Sequence, residues 1–186
     1  MQKRILPVAA IGFAALLSTA AQAADGTIQI TGAIADTTCS INGKATGSPI
    51  DVNVTLPTVP TGALATAGAT AGTSNAGDIK FALSGCSGSA TKVIARFENG
   101  PTVDSSSGNL TNQASASPAK NVQVRLLNAN TQPINILTNE NNTLATNGVA
   151  ITGGAATLNY FAQYYATGKA EPGNVTTSVQ YTMQYQ

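Results

Sequence analysis

No histidine occurs anywhere in the 186 residues. Its absence removes the usual general base, the Ser-His-Asp arrangement and most zinc sites. Carboxylates are scarce too: Asp25, Asp36, Asp51, Asp78, Glu98, Asp104, Glu140 and Glu171 are the whole set. They lie far apart and fall mostly near loops or strand ends, as solvated surface acids do. A glycosidase would have to assemble two of them in space. There is no D-x-D-x-D-G calcium loop, phosphate-binding glycine loop or dinucleotide fingerprint. The expectation is a chain that is not an enzyme and holds no metal or cofactor.

Basic residues number nine, and two of them, Lys3 and Arg4, stand in the first few positions. The rest are scattered from Lys44 to Lys169, with no stripe of the kind a nucleic-acid surface needs. Nucleic acid is therefore not an expected partner. Helical periodicity is missing after the opening segment, and no later apolar run is long enough to span a membrane. Four N-x-S/T triplets begin at Asn53, Asn109, Asn141 and Asn174; in a chain this rich in Asn and Thr they carry little weight.

The opening segment is different in kind. Lys3 and Arg4 precede an almost unbroken apolar run over residues 8–17, and Ala21-Gln22-Ala23 supplies a small-x-small cleavage pattern. Residues 1–23 read as a signal peptide, a membrane anchor being the alternative, since the run is about half the roughly 20 residues a span requires. Its removal would leave one domain's length of chain and seven cations against eight anions. Cys39 and Cys86 are the only cysteines, and in an exported chain an even pair most simply forms one disulfide. A reactive thiol pair would favour a spacing such as C-x-x-C, which is absent.

What the chain has in quantity is short alternation. Ile28, Ile30, Gly32 and Ile34 share one face, with Thr27, Gln29, Thr31 and Ala33 on the other. Ile50, Val52, Val54 and Leu56 alternate with polar residues until Pro57 stops them. Ile79, Phe81 and Leu83 follow, then Val93 to Phe97, then Val122, Val124 and Leu126 returning through Asn128-Ala129-Asn130-Thr131 to Ile134 and Ile136. Residues 62–77 read as a loop or weak edge with little to pack, and residues 104–118 as a polar, exposed loop. Residues 149–151 are short enough for a strand or a loop. Aromatics on both faces of residues 158–166 predict a strand covered on both sides. Finally Val179, Tyr181, Met183 and Tyr185 alternate with Gln180, Thr182, Gln184 and Gln186. The pattern predicts an all-β sandwich. An apolar terminal strand at a sheet edge invites pairing, so either another strand covers it or the chain joins other chains.

The two ends carry a resemblance. Gly26-Thr27-Ile28-Gln29-Ile30-Thr31-Gly32 leads to Cys39, and Tyr164-Tyr165-Ala166-Thr167-Gly168 is followed by Pro172-Gly173. The chain closes on Val179-Gln180-Tyr181-Thr182-Met183-Gln184-Tyr185-Gln186. These motifs resemble the pilins of chaperone–usher fimbriae, close to the type 1 fimbrial subunits. Members of that family carry a penultimate tyrosine and a glycine fourteen positions from the C-terminus, the places of Tyr185 and Gly173. The resemblance implies an incomplete immunoglobulin-like sandwich lacking its last strand, completed by a donor strand from another subunit. It divides the chain into signal peptide 1–23, donor arm 24–36 and pilin domain 37–186. Ile28, Ile30, Gly32 and Ile34 would be the donor residues, with Gly32 fitting a narrow part of the groove or, alternatively, marking a simple bend. Gly173, Val179, Tyr181, Met183 and Tyr185 would belong to the groove-edge strand that a chaperone engages. The implied partners are identical or related pilins joined head to tail, a periplasmic chaperone and an outer-membrane usher, and the implied destination is a fibre on the cell surface. A minor or adaptor subunit, a glycan-binding adhesin and a self-complemented monomer are the competing roles. An adhesin would be expected to place a lectin domain first and to lack the arm.

Overall fold

Strands follow the alternating runs, and their burial shows why. The computed structural model describes residues 28–32, 34, 36 and 38–186. The expected signal peptide and residues 24–27, 33, 35 and 37 fall outside the described residues. In chain order the elements are β1 (Ser40–Ile41), a 3₁₀ turn (Thr61–Leu64), β2 (Thr70–Ala71), β3 (Ile79–Ser84) and β4 (Lys92–Phe97). They continue with β5 (Leu110–Thr111), β6 (Lys120–Leu127), β7 (Pro133–Ile134), a single helical turn α1 (Leu144–Asn147), β8 (Val149–Ala150), β9 (Ala156–Glu171) and β10 (Tyr181–Tyr185).

All pairings between these strands are antiparallel. One sheet runs β1-β3-β9-β6-β5, with β2 added to β9 and β7 to β6; the other runs β10-β4-β8. Long β9 is the spine of the first sheet. Residues Ala156 to Tyr160 pair with β3 and Tyr164 and Tyr165 with β2, while β6 lies along the opposite edge. In β3 the alternation is clean: Ile79, Phe81 and Leu83 are buried and Lys80 and Ser84 exposed. In β4 Val93, Ile94 and Ala95 are buried in succession, as expected of a strand flanked on both sides and covered on both faces.

Aromatic edges tie the two sheets together. The Tyr160 ring stands 5.0 Å from Phe97 and 6.2 Å from Phe81, both edge-on, and Phe81 meets Tyr181 at 4.6 Å. The Tyr160 hydroxyl accepts from the Ala95 amide at 3.2 Å and donates to the Ala95 carbonyl, which also accepts from Asn142 Nδ2 at 2.9 Å. Those side chains serve Ala95 where β8 has stopped pairing with β4. Burial pushes the Tyr160 phenol up to about 12 against the opposing pull of the Ala95 hydrogen bond. Cys39 and Cys86 form a disulfide, pinning the start of β1 to the end of β3.

Two polar tracts pack better than expected. Residues 62–77 bury Leu64 in a small cluster with Val122, Ala166 and Ala170, and Ser74 is buried against β9, its hydroxyl accepting from the Ala162 amide. Residues 104–118 contain β5, whose Leu110 is 2% exposed. Single apolar residues in polar surroundings have no periodicity, so alternation could not reveal them. The Asn128 turn behaves as its residues predict: Asn128 Oδ1 accepts from the amides of Asn130 and Gln132, closing the β6–β7 hairpin.

Candidate functional site

The last strand is an edge. β10 has β4 on one side, Tyr181 opposite Phe97 and Tyr185 opposite Val93, and no further neighbour in its sheet among the described residues. Its line extends backwards as an unassigned but extended segment from Val175. Along this line the even residues face the sheet. Thr176 exchanges bonds with Asn112 and Gln113, the Ser178 carbonyl accepts from Thr102 Oγ1 at 2.6 Å, and the Gln180 carbonyl accepts from the Glu98 amide at 2.8 Å. The odd residues turn their amides the other way. Among the described residues the backbone groups of Val175, Thr177 and Val179 make no hydrogen bond, and the antiparallel register puts Tyr181, Met183 and Tyr185 in the same phase.

Facing that edge is the run from Ile50 to Leu56. It has the alternation of a strand, with Ile50, Val52, Val54 and Leu56 half-buried and Asp51, Asn53 and Thr55 exposed. The expected ladder is missing: among the described residues, the backbone of 51–56 bonds to nothing. Alternation reports a buried side-chain face and says nothing of hydrogen-bond partners, which is why the sequence reads as a paired strand. Between the two segments lies a cavity of about 610 Å³ whose floor includes Phe81, Phe97, Leu110, Val124 and Leu126. The arrangement is a sandwich with a strand-wide slot, apolar at the bottom and lined by unpaired backbone along both rims.

One side chain crosses the slot. The Tyr181 ring lies on Phe81, and its hydroxyl donates to the Ile50 carbonyl at 2.7 Å. Burial first, and then the nearby Asp51 carboxylate, raise the Tyr181 phenol above its ordinary value. Val179 and Tyr181 line the cavity, and Met183 and Tyr185 continue past Tyr181 to pack on the main core. Burial raises the Tyr185 phenol as well. Gly173 lies before the edge, where its chain crosses residues 117–119. The Asn174 amide donates to the Ser117 carbonyl at 2.7 Å and the Ala119 amide to the Asn174 carbonyl at 2.9 Å. A Cβ on Gly173 would stand 2.5 Å from the Ser117 oxygen. At the other end of the chain, Ile28, Ile30 and Ile34 are 89%, 89% and 104% exposed. Among the described residues, and apart from its own chain neighbours, nothing lies within 4 Å of where a Gly32 side chain would begin.

Residues 56–186 match the model of the family described as type-1 fimbrial protein, A. The chain belongs to that family. The type-1 fimbrial assignment is supported along nearly the full length by curated relatives. The major fimbrial subunit SMF-1 of Stenotrophomonas maltophilia (strain K279a) is 46% identical over 169 residues, covering 89% of this chain and 95% of its own. The F17 fimbrial protein of Escherichia coli is 40% identical over 177 residues, covering 93% and 94%. In fold, this fimbrial subunit is similar to the crystal structure of a Burkholderia pseudomallei antigen and type I fimbria protein, with a TM-score of 0.51 at 22% identity, over 81% of this chain and 97% of that one.

Sequence reasoning missed half of the slot. The Ile50–Leu56 rim is legible in the sequence as a strand and not as a rim, and the edge expected from Val179 onwards begins two inward positions earlier, at Val175 and Thr177. The signal for these two was present: they continue the alternation of Val179 and Tyr181 two residues at a time.

Proposed function

We propose that this structural fimbrial subunit polymerises by strand donation, each copy laying its N-terminal arm into the slot beside β10 of another copy. The observation that carries the reading is the slot itself: an apolar trough between residues 51–56 and the odd-numbered residues of the edge, whose backbone groups make no hydrogen bond among the described residues. An extended peptide adding to such an edge gains main-chain hydrogen bonds and side-chain burial together. Strand addition of this kind is a general recognition mode whose known instances include the pilin case itself. The arm suits the slot in chemistry, with Ile28, Ile30 and Ile34 on one face and exposed in the isolated chain. Burying the three side chains would contribute roughly 5–9 kcal/mol, at about 1.5–3 kcal/mol each. Asp36 follows in the same phase, so burial should end before it, an unpaired carboxylate being costly to bury.

Arm and slot are different surfaces, so the contact is head to tail and does not close on itself; repeated, it generates a filament. The reading extends to a major subunit, exported by the signal peptide at residues 1–23, held by a periplasmic chaperone on the same β10 edge, and passed to an outer-membrane usher for display on the cell surface. Deleting residues 24–34 tests it. The truncated subunit should accumulate and still accept a strand but donate none, so SDS-resistant ladders from sheared cell surfaces should vanish. Normal fibres from the truncated chain would refute strand donation.

A further inference from the structure

Among the inward-facing residues of the edge, one does not fit an apolar trough. Thr177 Oγ1 is buried, and no group among the described residues hydrogen-bonds it. We propose that Thr177 sets the register of the incoming strand by selecting Gly32 of the donated arm to lie opposite it. The proposal rests on the strand-donation reading above and adds a residue-to-residue alignment to it.

Length limits which positions can meet. The cavity ends at Tyr181, where ring and hydroxyl span the slot from the edge to Ile50. Counting back from there, the inward positions that line it are Tyr181, Val179, Thr177 and Val175. Four positions at two-residue steps cover roughly 20 Å of strand. The arm also offers four, Ile28, Ile30, Gly32 and Ile34, over the same span. With Tyr181 as end wall, a two-residue slip leaves one isoleucine without a place.

Polarity selects the direction of the arm. Laid antiparallel to the edge, the arm puts Ile28 at Tyr181, Ile30 at Val179, Gly32 at Thr177 and Ile34 at Val175. Every isoleucine then meets an apolar ring or branch, and the one residue without a side chain meets the hydroxyl that has no partner among the described residues. Glycine leaves a side-chain-sized space there, in which a water can pair with Oγ1 and with the second lone pairs of the adjoining strand carbonyls. Laid parallel, Ile30 would press methyl groups onto that hydroxyl, burying it with no partner, while Gly32 would forfeit contact at Val179. The Tyr181 hydroxyl raises no such conflict, because Ile50 already accepts from it.

Cross-linking reads the register directly. Full-length chains carrying Gly32→Cys with one of Val175→Cys, Thr177→Cys, Val179→Cys or Tyr181→Cys are expressed in fibre-forming cells, with Cys39 and Cys86 left in place. Sheared, oxidised fibres are then run on non-reducing gels. A disulfide needs Cα atoms about 4.4–6.8 Å apart. Directly opposed antiparallel residues with facing amides stand about 5.5 Å apart, and positions two residues away lie roughly 9 Å off. The expected result is a covalent ladder from the Thr177→Cys pair alone. A ladder from another pair overturns the register and leaves strand donation standing. A cross-linked monomer shows the arm in its own slot, and no cross-link at any of the four overturns both readings. A second measurement avoids new cysteines. Gly32→Ala should lower fibre yield about tenfold more when position 177 is threonine than in the Thr177→Val background, as coupled neighbours do. Equal losses in the two backgrounds overturn the role of Thr177.

Discussion

Replacing Gly173 with alanine should be far more damaging than its size suggests. The backbone at Gly173 is not in the left-handed region, so conformational freedom is not what the position requires. Space is: the new Cβ would lie 2.5 Å from both the Ser117 oxygen and the Pro118 carbonyl carbon, backbone atoms that cannot rotate aside. One of the two crossing segments must move. Overpacking of this kind costs about 1–3 kcal/mol. Separation also weakens the two backbone bonds that Asn174 makes to Ser117 and Ala119, each worth about 0.5–1.5 kcal/mol. The expected total is roughly 2–6 kcal/mol, a large part of the 5–15 kcal/mol that usually separates folded from unfolded chains. Thermal melts followed by circular dichroism should show Tm lower by about 5–15 °C. Gly168→Ala is the internal control. Its Cβ would meet the Asn121 side chain at an ordinary 3.5 Å, and a strand glycine exchanged for alanine should be neutral or gain up to ~1 kcal/mol. If Gly173→Ala melts within about 2 °C of the parent, or no lower than Gly168→Ala, the close-approach reasoning is wrong.

Four further outcomes follow from the same geometry. Tyr160→Phe removes the group that the Ala95 amide donates to inside the core, and should cost about 1–3 kcal/mol by urea titration. The raised Tyr160 pKa, about 12, means its contribution is full below the ordinary tyrosine value near 10 and is lost as pH rises through 12, so parent stability should fall over that window and Tyr160→Phe should flatten the fall. Reducing the Cys39–Cys86 disulfide, which closes a separation of 47 residues, should lower stability by about 4 kcal/mol in the chain-entropy model, seen as a lower urea midpoint under reductant. Tyr181→Phe keeps the ring on Phe81 but removes the tie to Ile50, and should cost about 0.5–1.5 kcal/mol by the same titration, leaving the two rims joined only through the floor.

How far alternation carried the reading is visible strand by strand. Ile79-x-Phe81-x-Leu83 became β3 with its buried and exposed faces as read, and the aromatic run of residues 158–166 became the middle of β9. Val179 to Tyr185 became the edge itself, with β10 starting at Tyr181. Leu64 and Leu110 escaped notice because burial of an isolated residue depends on what the fold brings above it. At the slot, both rims were readable as β-type sequence, and their lack of partners was not. Side-chain phase is written locally, in every second residue, whereas a backbone hydrogen bond depends on which segments the chain sets side by side.

That division holds for the protein as a whole. Sequence alone determined an all-β chain, its two cysteines, and the apolar alternation of residues 28–34 and 179–185, because each follows from residue type and spacing over a few positions. Only the tertiary structure decided that Ile50–Leu56 and the line from Val175 to Tyr185 face each other across an apolar floor with no backbone ladder between them among the described residues. It decided too that Tyr181 closes one end and that Thr177 buries a hydroxyl with no hydrogen-bond partner among the described residues. These are relations between residues as many as 131 positions apart, as in the Tyr181–Ile50 bond, and no local period encodes them.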